Sequence, residues 1–387
     1  MRIRQVNLST VGDWQALEAL RDFPHQLLLV FGDKVFFETP ALHEELCRRF
    51  PGATILGCST AGEISAQGVT DGSCVLTAVH FEHTALRLAS TGLAGMEDSR
   101  AAGRRLGEAL AGAELQAVLV YGPGVAVNGS ALVGGLEAAL DHRRPITGGL
   151  AGDGGAFART WVMHRDAVSD HAVVALGLYG RHLRLGHGSA GGWVPFGPAR
   201  RVTRAQGNVL FELDGEAALT IYKRYLGEHA RGLPGSGLLF PFLMEDPAQE
   251  GEGLIRTILA INEADGSLTL AGEVRQDSFL KLMQASTDRL IDGAERAAEL
   301  ARASWAPESA ELAILVSCVG RKMIMGNQVD EEVEAVSGLL GPRAVLCGFY
   351  SNGEISPLGR EGACQLHNQT MTITVLEESQ EPACTGD

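Results

Sequence analysis

Apolar residues in this chain fall into short, leucine-rich and β-branched runs that alternate with stretches of helical periodicity. The run at 26–31, Gln-Leu-Leu-Leu-Val-Phe, is followed by a helical stretch and by a second apolar run at 54–59. The same order returns at 312–351, and a looser copy occupies 117–153. Short apolar runs bounded by turn formers are typical of buried strands. The pattern predicts a mixed α/β fold built from repeated strand-helix-strand units, each closed by a Gly-rich turn.

Helical periodicity predicts five helices between these strands. The longest has apolar residues three and four positions apart between 279 and 301, with charged residues between them, which is typical of an amphipathic helix. The predicted helices cover residues 39–50, 97–110, 129–140, 278–303 and 328–340.

The length of 387 residues exceeds what one hydrophobic core usually supports, so two domains are expected. Closely spaced strands are predicted from 162 to 213, and turn formers concentrate between 225 and 237. We therefore predict an N-terminal domain at 1–226 and a second domain at 227–377. The acidic tail at 378–387 is expected to be disordered.

Net charge and the distribution of apolar residues limit which partners and which cellular compartment are expected. A net charge of −15 disfavours nucleic acid and anionic membrane surfaces as partners. The N-terminus lacks the apolar segment of a secretory signal, and no apolar run has the roughly 18 residues that a membrane helix needs. Seven scattered cysteines favour reduced, buried thiols over a disulfide framework. We expect a cytoplasmic protein.

The turns after the second strand of each copy carry a carboxylate: Glu63, Asp153 and Glu354. Their spacing predicts equivalent places in the three copies. A short acid at such a turn commonly caps free backbone amides of the next segment. Each is therefore expected to have a structural role unless a ligand is bound nearby.

Two residues suggest an enzyme of the hydrolase type. Ser59 lies in Gly-Cys-Ser-Thr-Ala, which matches the G-x-S-x-G motif of a nucleophile elbow except that Ala replaces the last Gly. Cys318 follows an apolar strand and precedes Arg321, whose charge could favour a thiolate. The G-x-G-x-x-G spelling at 186–191 is followed by two prolines instead of a helix, so it does not predict a dinucleotide site.

Several ordered motifs resemble those of the FIST N and FIST C domains. The FIST N resemblance rests on Gly-Cys-Ser-Thr-Ala-Gly-Glu-Ile at 57–64, Gly-Gly-Leu-Ala-Gly-Asp at 148–153, and the segments 187–193 and 207–214. Ser-Cys-Val-Gly-Arg-Lys at 317–322 and the segments 348–355 and 366–371 resemble FIST C.

The resemblance implies an intracellular, non-catalytic sensor of small ligands such as amino acids. A chain of this size that pairs the two domains also resembles the NosP proteins, haem-containing nitric oxide sensors that act on a separate histidine kinase and influence biofilm behaviour. The chain shows no output domain of its own, which fits signalling through such a partner.

A haem sensor of this kind would hold haem b without covalent attachment, because the chain lacks C-x-x-C-H. His367, at the entry to an apolar strand, is the first candidate for the axial ligand of the iron. His187 is the second, in a glycine-flanked segment close to Trp193 and Phe196.

The alternative is a sensor of a small polar ligand such as an amino acid, without haem. Such a site needs a cation against the ligand carboxylate and an acid against its amine. The sequence offers Arg321 and Lys322 as cations and Glu354 as the acid, with Asn352 beside it.

Overall fold

The protein is described here by a computed structural model that covers residues 1–141, 144–245, 253–303, 311–359 and 362–379. The fold is mixed α/β, as the sequence predicts. Three strand-helix-strand units correspond to the three copies recognised in the sequence, and an additional β-rich segment is inserted into the third. Most of the predicted acidic tail, 380–387, lies outside the described residues.

Units 1 and 2 occupy the N-terminal half of the chain. Unit 1 comprises β1 (Arg2–Leu8), β2 (Leu27–Gly32), α1 (Ala41–Arg49), β3 (Thr54–Ser59), β4 (Glu63–Ser65), β5 (Gly68–Thr70) and β6 (Cys74–His80). Unit 2 comprises β7 (Ala85–Gly92), α2 (Ser99–Leu110), β8 (Leu115–Gly122), α3 (Gly129–Ala139), β9 (Ile146–Leu150), β10 (Val162–His164), β11 (Ala167–Ser169) and β12 (Ala172–Tyr179).

Unit 3 begins with β13 (Leu183–Ala190) and resumes after the inserted segment, 194–284, which we call the insertion. The insertion contains β14 (Val194–Gln206), β15 (Val209–Leu213), β16 (Glu216–Ala217), α4 (Ala218–Leu226), β17 (Phe242–Glu245), β18 (Leu254–Arg256), β19 (Ile258–Asn262), β20 (Ser267–Leu270) and β21 (Phe279–Gln284). Unit 3 then continues with α5 (Thr287–Arg302), β22 (Leu312–Cys318), α6 (Val319–Met325), α7 (Val329–Leu340), β23 (Val345–Ser351), β24 (Gly353–Pro357), β25 (Cys364–His367) and β26 (Met371–Glu378).

Each unit has a parallel strand pair at the centre of a six-stranded sheet: β2 with β3, β8 with β9, and β22 with β23. The hairpin that follows each pair joins the sheet of a different unit. Hairpin β4–β5 pairs with β23, β10–β11 pairs with β3, and β24–β25 pairs with β9. This cyclic exchange closes the three units into a ring. The insertion forms its own eight-stranded sheet.

Side chains that alternate along the strands build two kinds of core. The inward faces of all three ring sheets share one cluster, in which Phe31 stacks on Phe349 and Tyr121 meets both rings edge-on. The outward faces pack separately against the helices of their own unit. The ring is therefore held together by its shared centre as well as by the exchanged hairpins.

One glycine recurs at the same register position in every parallel pair. Gly57, Gly148 and Gly348 lie opposite Val30, Val120 and Leu315. A Cβ atom on these glycines would lie 2.0, 2.0 and 1.8 Å from the facing carbonyl oxygens. The three units thus share a backbone contact that any larger residue would prevent.

Two sequence expectations are wrong in detail. The predicted helix at 278–303 is divided: Phe279–Gln284 is a strand of the insertion, and the helix begins at Thr287, after Ser286 caps the amide of Arg289. The apolar residues before the cap satisfied a helical pattern, but pairing with β14 and β17 determines their conformation.

The three turn carboxylates do not occupy equivalent places. Glu63 pairs with Phe349, and Glu354 pairs with Gly149. The corresponding partner of Cys58 is Val162, because eight residues of loop, 154–161, separate Asp153 from that position. Asp153 instead caps this loop by accepting hydrogen bonds from three backbone amides, those of residues 157–159.

Candidate functional site

A pocket of about 310 Å³ lies where the ring meets the insertion. We call it the Trp193 pocket. Its walls come from the end of β13, from the insertion strands and from the β24–β25 hairpin, so it borders parts of the chain that are far apart in sequence. It is lined by Ser189, Ala190, Gly191, Gly192, Trp193, Pro195, Leu243, Gly253, Ile255, Met283, Leu358, Gly359, His367 and Thr370.

His367 lies in this pocket wall and is 4% exposed. Its Nε2 atom is 3.0 Å from the carbonyl oxygen of Ser356, which can only accept, so Nε2 carries the proton. Burial, together with the nearby charge of Arg256, lowers the pKa of His367 to about 4, although the hydrogen bond to Ser356 acts in the opposite direction. The ring is therefore neutral, and its Nδ1 lone pair lies 3.5 Å from the Ser189 hydroxyl.

Trp193 is the second predicted residue that lines the pocket. Its indole Nε1–H donates to the carbonyl of Gln369, 2.8 Å away. This bond joins the segment 187–193 to the segment 366–371, two motifs that the sequence could only place separately. The indole is thereby held with its polar edge satisfied and its apolar body in the wall of the pocket.

The other two residues predicted around a haem lie outside the lining. His187 is on the same face of β13 as Ser189, two residues earlier, and its buried Nδ1 has no hydrogen-bond partner in the described part of the chain. Burial lowers the pKa of His187. Phe196 packs edge-on against Phe240 inside the insertion, with ring centroids 6.2 Å apart.

Glu354 does not line the pocket but contacts a residue that does. It is fully buried, faces His367 across the β24–β25 ladder, and accepts hydrogen bonds from the Ser351 hydroxyl and from the amide and hydroxyl of Thr370. Burial raises the pKa of Glu354 to about 7, although these bonds favour the carboxylate. Through Thr370, which lines the pocket, the carboxyl group is coupled to the site without reaching it.

Arg321 does not pair with Glu354, as an amino-acid site would need. Its guanidinium is fully buried and forms an ion pair with Glu332, with Nη2 to Oε2 at 2.6 Å. Two further N–H groups donate to the carbonyls of Gly191 and Leu290 at 2.6 and 2.8 Å. Arg321 therefore positions the Gly191 wall of the pocket from behind.

Lys322 and Asn352 are also separate from the pocket. The ammonium of Lys322 contacts Asp71 and the carbonyl of Ala61. Asn352 lies between β23 and β24, and its backbone amide donates to Leu150. Its buried side-chain amide has no hydrogen-bond partner among the described residues. The four residues proposed for an amino-acid site are thus dispersed over the ring.

Comparison with known protein families identifies the two domains to which these motifs belong. The FIST N domain model matches residues 26–216, and the FIST C domain model matches residues 218–357. Together they cover most of the chain. The chain belongs to the FIST family. Its two matched domains indicate a sensory or signalling role directed at small ligands. The boundary predicted at 226/227 stays a prediction.

The curated relatives of this chain do not add an activity. An uncharacterized protein of Mycobacterium tuberculosis is 27% identical over 217 residues, which cover 54% of this chain and 55% of the relative. An uncharacterized protein of Methanocaldococcus jannaschii is 24% identical over 207 residues, covering 50% and 38%. The chain spans about half the length of the mycobacterial relative that it matches.

Among solved structures, cyanuric acid hydrolase from A. caulinodans aligns with 98% of this FIST chain and 99% of its own. The sequence identity is 10% and the TM-score is 0.38, so the likeness supports no functional argument. Within the described residues of the FIST protein, no helix is both long enough and apolar enough to cross a membrane.

The residues considered for a hydrolase are occupied or inaccessible in this FIST fold. Ser59 is fully buried, and its hydroxyl donates to the carbonyl of Gly152 at 2.7 Å and accepts from the amide of Trp161 at 2.9 Å. Cys318 is 4% exposed, and burial raises the pKa of its thiol well above the ordinary value. Neither group is prepared to act as a nucleophile.

Two polar residues of the pocket were not singled out from the sequence. Ser189 and Thr370 belong to the motifs that carry the FIST resemblance, at 187–193 and 366–371, so the motif positions contained the signal. Their shared location depends on the pairing of β13 with β26, which places Ser189 beside Thr372 across the ladder. That pairing joins residues about 180 positions apart.

Proposed function

We propose that this FIST protein senses a small, uncharged ligand that binds in the Trp193 pocket. The observation that carries the proposal is the neutral His367 ring, whose Nε2–H is fixed by the Ser356 carbonyl. Nδ1 is then an acceptor on the side of Ser189. Thr370 adds a hydroxyl and Trp193 an apolar face. A flat, largely apolar molecule with one hydrogen-bond donor matches this lining.

The position of the pocket supports a sensory role. Arg256, in the insertion strand β18, is 2% exposed and donates to the carbonyl of Leu366 in the ring at 3.2 Å and to that of Glu273 at 2.9 Å. A ligand that contacts both the ring and the insertion can favour one arrangement of the two over another. A partner that binds the favoured arrangement would receive the signal.

A charged amino acid matches this pocket poorly. None of the described lining residues carries a charge, since His367 is neutral. The cation and the acid proposed for such a ligand, Arg321 and Glu354, are buried in separate hydrogen-bond networks. Burying a zwitterion against neutral groups would leave both of its charges without compensation.

Haem-based sensing of nitric oxide is the second proposal, with a separate histidine kinase as partner. The observation that favours it is again His367, because a ring that donates one N–H to a backbone carbonyl presents its other nitrogen as a metal ligand. When bound, haem would supply an iron that binds diatomic gases.

The pocket as described does not fit haem. A volume of about 310 Å³ is at the low end for small-molecule sites. No Lys or Arg is found among the described lining residues to pair with the propionates. We therefore derive no step through the iron.

Ligand-observed NMR with a panel of neutral aromatic and amide fragments tests the first proposal. Ala190→Phe fills the pocket, whereas Ala260→Phe adds the same ring to an exposed strand of the insertion. We expect fragments with one donor to bind the wild type and A260F, but not A190F. Equal binding to all three proteins would refute the proposed site.

An absorption spectrum of the protein expressed with haem supply, reduced and exposed to nitric oxide, tests the second. A stoichiometric Soret band that shifts with the gas, and that is lost in His367→Ala, would establish haem sensing and displace the first proposal. His43→Ala is the control, since His43 contacts the carbonyls of His164 and Arg165 away from the pocket. No Soret band after reconstitution would exclude the haem proposal.

A further inference from the structure

A second cleft, of about 350 Å³, opens at the ends of the parallel strands of unit 1. It is lined by Lys34, Glu38, Asp153, Ala158, Arg159 and Trp161. Lys34 begins the short 3₁₀ helix Lys34–Phe36 that directly follows β2, and the last four residues belong to the loop between β9 and β10. Crevices outside the carboxyl ends of parallel strands are common ligand sites in α/β proteins.

The cleft is lined by two cationic side chains, Lys34 and Arg159, and two acidic ones, Glu38 and Asp153. In the described part of the chain, the Lys34 ammonium forms no hydrogen bond or ion pair, and neither does the Glu38 carboxylate. Arg159 uses Nε to contact Asp170 at 2.8 Å and lies over the Trp161 ring at 5.2 Å, which leaves its terminal N–H groups available. Asp153 is 3% exposed, and its oxygens already accept three backbone amides.

Units 1 and 3 differ in how the lysine that follows the first parallel strand is paired. In unit 3, the segment after the first parallel strand carries Lys322, which pairs with Asp71 at the end of the incoming hairpin. Asp170 occupies the same place in the hairpin that joins unit 1, directly after β11. Asp170, however, is bonded to Arg159 and His171, so Lys34 is left without the acid that Lys322 has.

We propose that Lys34 and Arg159 bind a small monoanion, a carboxylate, in this cleft. The planar guanidinium of Arg159 can present two parallel N–H groups to a carboxylate, and the Lys34 ammonium adds a third donor. The Glu38 carboxylate, which has no partner among the described residues, repels negative charge and so disfavours a dianion in the same cleft. This site is separate from the Trp193 pocket and does not depend on the ligand proposed there.

Isothermal titration of the full-length protein with sodium propionate and with inorganic phosphate tests this site. Lys34→Met keeps the aliphatic stem and removes the charge, and we expect it to weaken propionate binding about tenfold, the loss of one charge-assisted contact. Glu38→Gln removes the opposing charge and should strengthen binding by about twofold to fivefold. Lys223→Met, which removes an exposed lysine of the insertion, is the control and should bind as the wild type does.

Two results would overturn the proposal. Equal propionate affinity in K34M and K223M, or the absence of saturable propionate binding to the wild type, would remove the site. Tighter binding of phosphate than of propionate at pH 7.5 would overturn the assignment to a monoanion. Circular dichroism spectra and thermal melts of each variant serve as an independent check that it is folded.

Discussion

The guanidinium of Arg321 donates a hydrogen bond to the carbonyl of Gly191 while it is ion-paired with Glu332. Arg321 belongs to α6, Glu332 to α7, and Gly191 to the wall of the Trp193 pocket. A charge buried at this junction requires all of its partners, since the interior offers no water to replace them. The pocket wall is thereby fixed to the helices of unit 3.

Arg321→Met should therefore destabilise the fold by about 3–5 kcal/mol, because Glu332 would remain buried without its cation. Urea unfolding followed by circular dichroism measures the change. Arg296→Met removes an exposed partner of Glu299 and should cost less than about 1 kcal/mol. Similar losses of unfolding free energy in the two variants would show that the buried ion pair stabilises the protein no more than the exposed one does.

The recurring glycines predict a second stability effect. Gly148→Ala and Gly348→Ala should each destabilise the protein by several kcal/mol or prevent folding, since the new Cβ would lie 2.0 or 1.8 Å from a carbonyl oxygen. Gly338→Ala is the matched control, because Gly338 is exposed in α7 and a Cβ there meets nothing within 4 Å. That change should stabilise the helix by about 0.5–1 kcal/mol. Thermal melts of the soluble variants would contradict us if all three behaved alike.

Glu354 predicts a dependence of stability on pH. Burial raises its pKa to about 7 in the folded protein, above the ordinary value of 4.5. Between these two values the folded state keeps a proton that the unfolded state releases, so the contribution of Glu354 to stability falls as pH rises. Glu354→Gln stays neutral throughout.

The unfolding free energy of E354Q, relative to wild type, should therefore increase by about 3 kcal/mol between pH 4.5 and pH 7. The exposed Glu108 provides the control variant, E108Q. Parallel curves for E354Q and the wild type would show that the pKa of Glu354 is the same in the folded and unfolded states.

His367 should be neutral, with the proton on Nε2, at pH 7 and down to about pH 5, because its pKa is lowered to about 4 by burial. Its contribution to stability is lost as pH falls from about 6.5 toward 4, the opposite direction to that of Glu354. Nitrogen-15 NMR of the imidazole, assigned with H367F, reports both the charge and the tautomer. An imidazolium signal from His367 at pH 6 would contradict the assignment.

Cys318 should remain unmodified when the native protein is treated with iodoacetamide at pH 7. Its thiol is buried, and its pKa is raised well above the ordinary value. Cys47 is half-buried and should be alkylated first among the cysteines that the structure describes. Peptide mass spectrometry measures both sites. Rapid alkylation of Cys318, abolished by Arg321→Ala, would restore the hydrolase hypothesis.

The sequence by itself determined the local elements and their repetition. Apolar runs with β-branched residues specified the buried parallel strands, and the ordered motifs were sufficient to indicate a FIST chain. Helices such as α1 and α7 were predicted to within two residues at each end, because the periodicity of their apolar residues is a local property. Local rules failed at Phe279–Gln284, where pairing with distant strands overrides helical spacing.

Only the tertiary structure decided which unit receives each hairpin, since β4–β5, β10–β11 and β24–β25 all join sheets other than their own. The longer loop before β10 separated Asp153 from the place held by Glu63 and Glu354. The exchange also determined that Asp71 pairs with Lys322, whereas Asp170 pairs with Arg159 and His171 instead of Lys34. The partner of a charged side chain depends on contacts across hundreds of residues, and no local spacing encodes them.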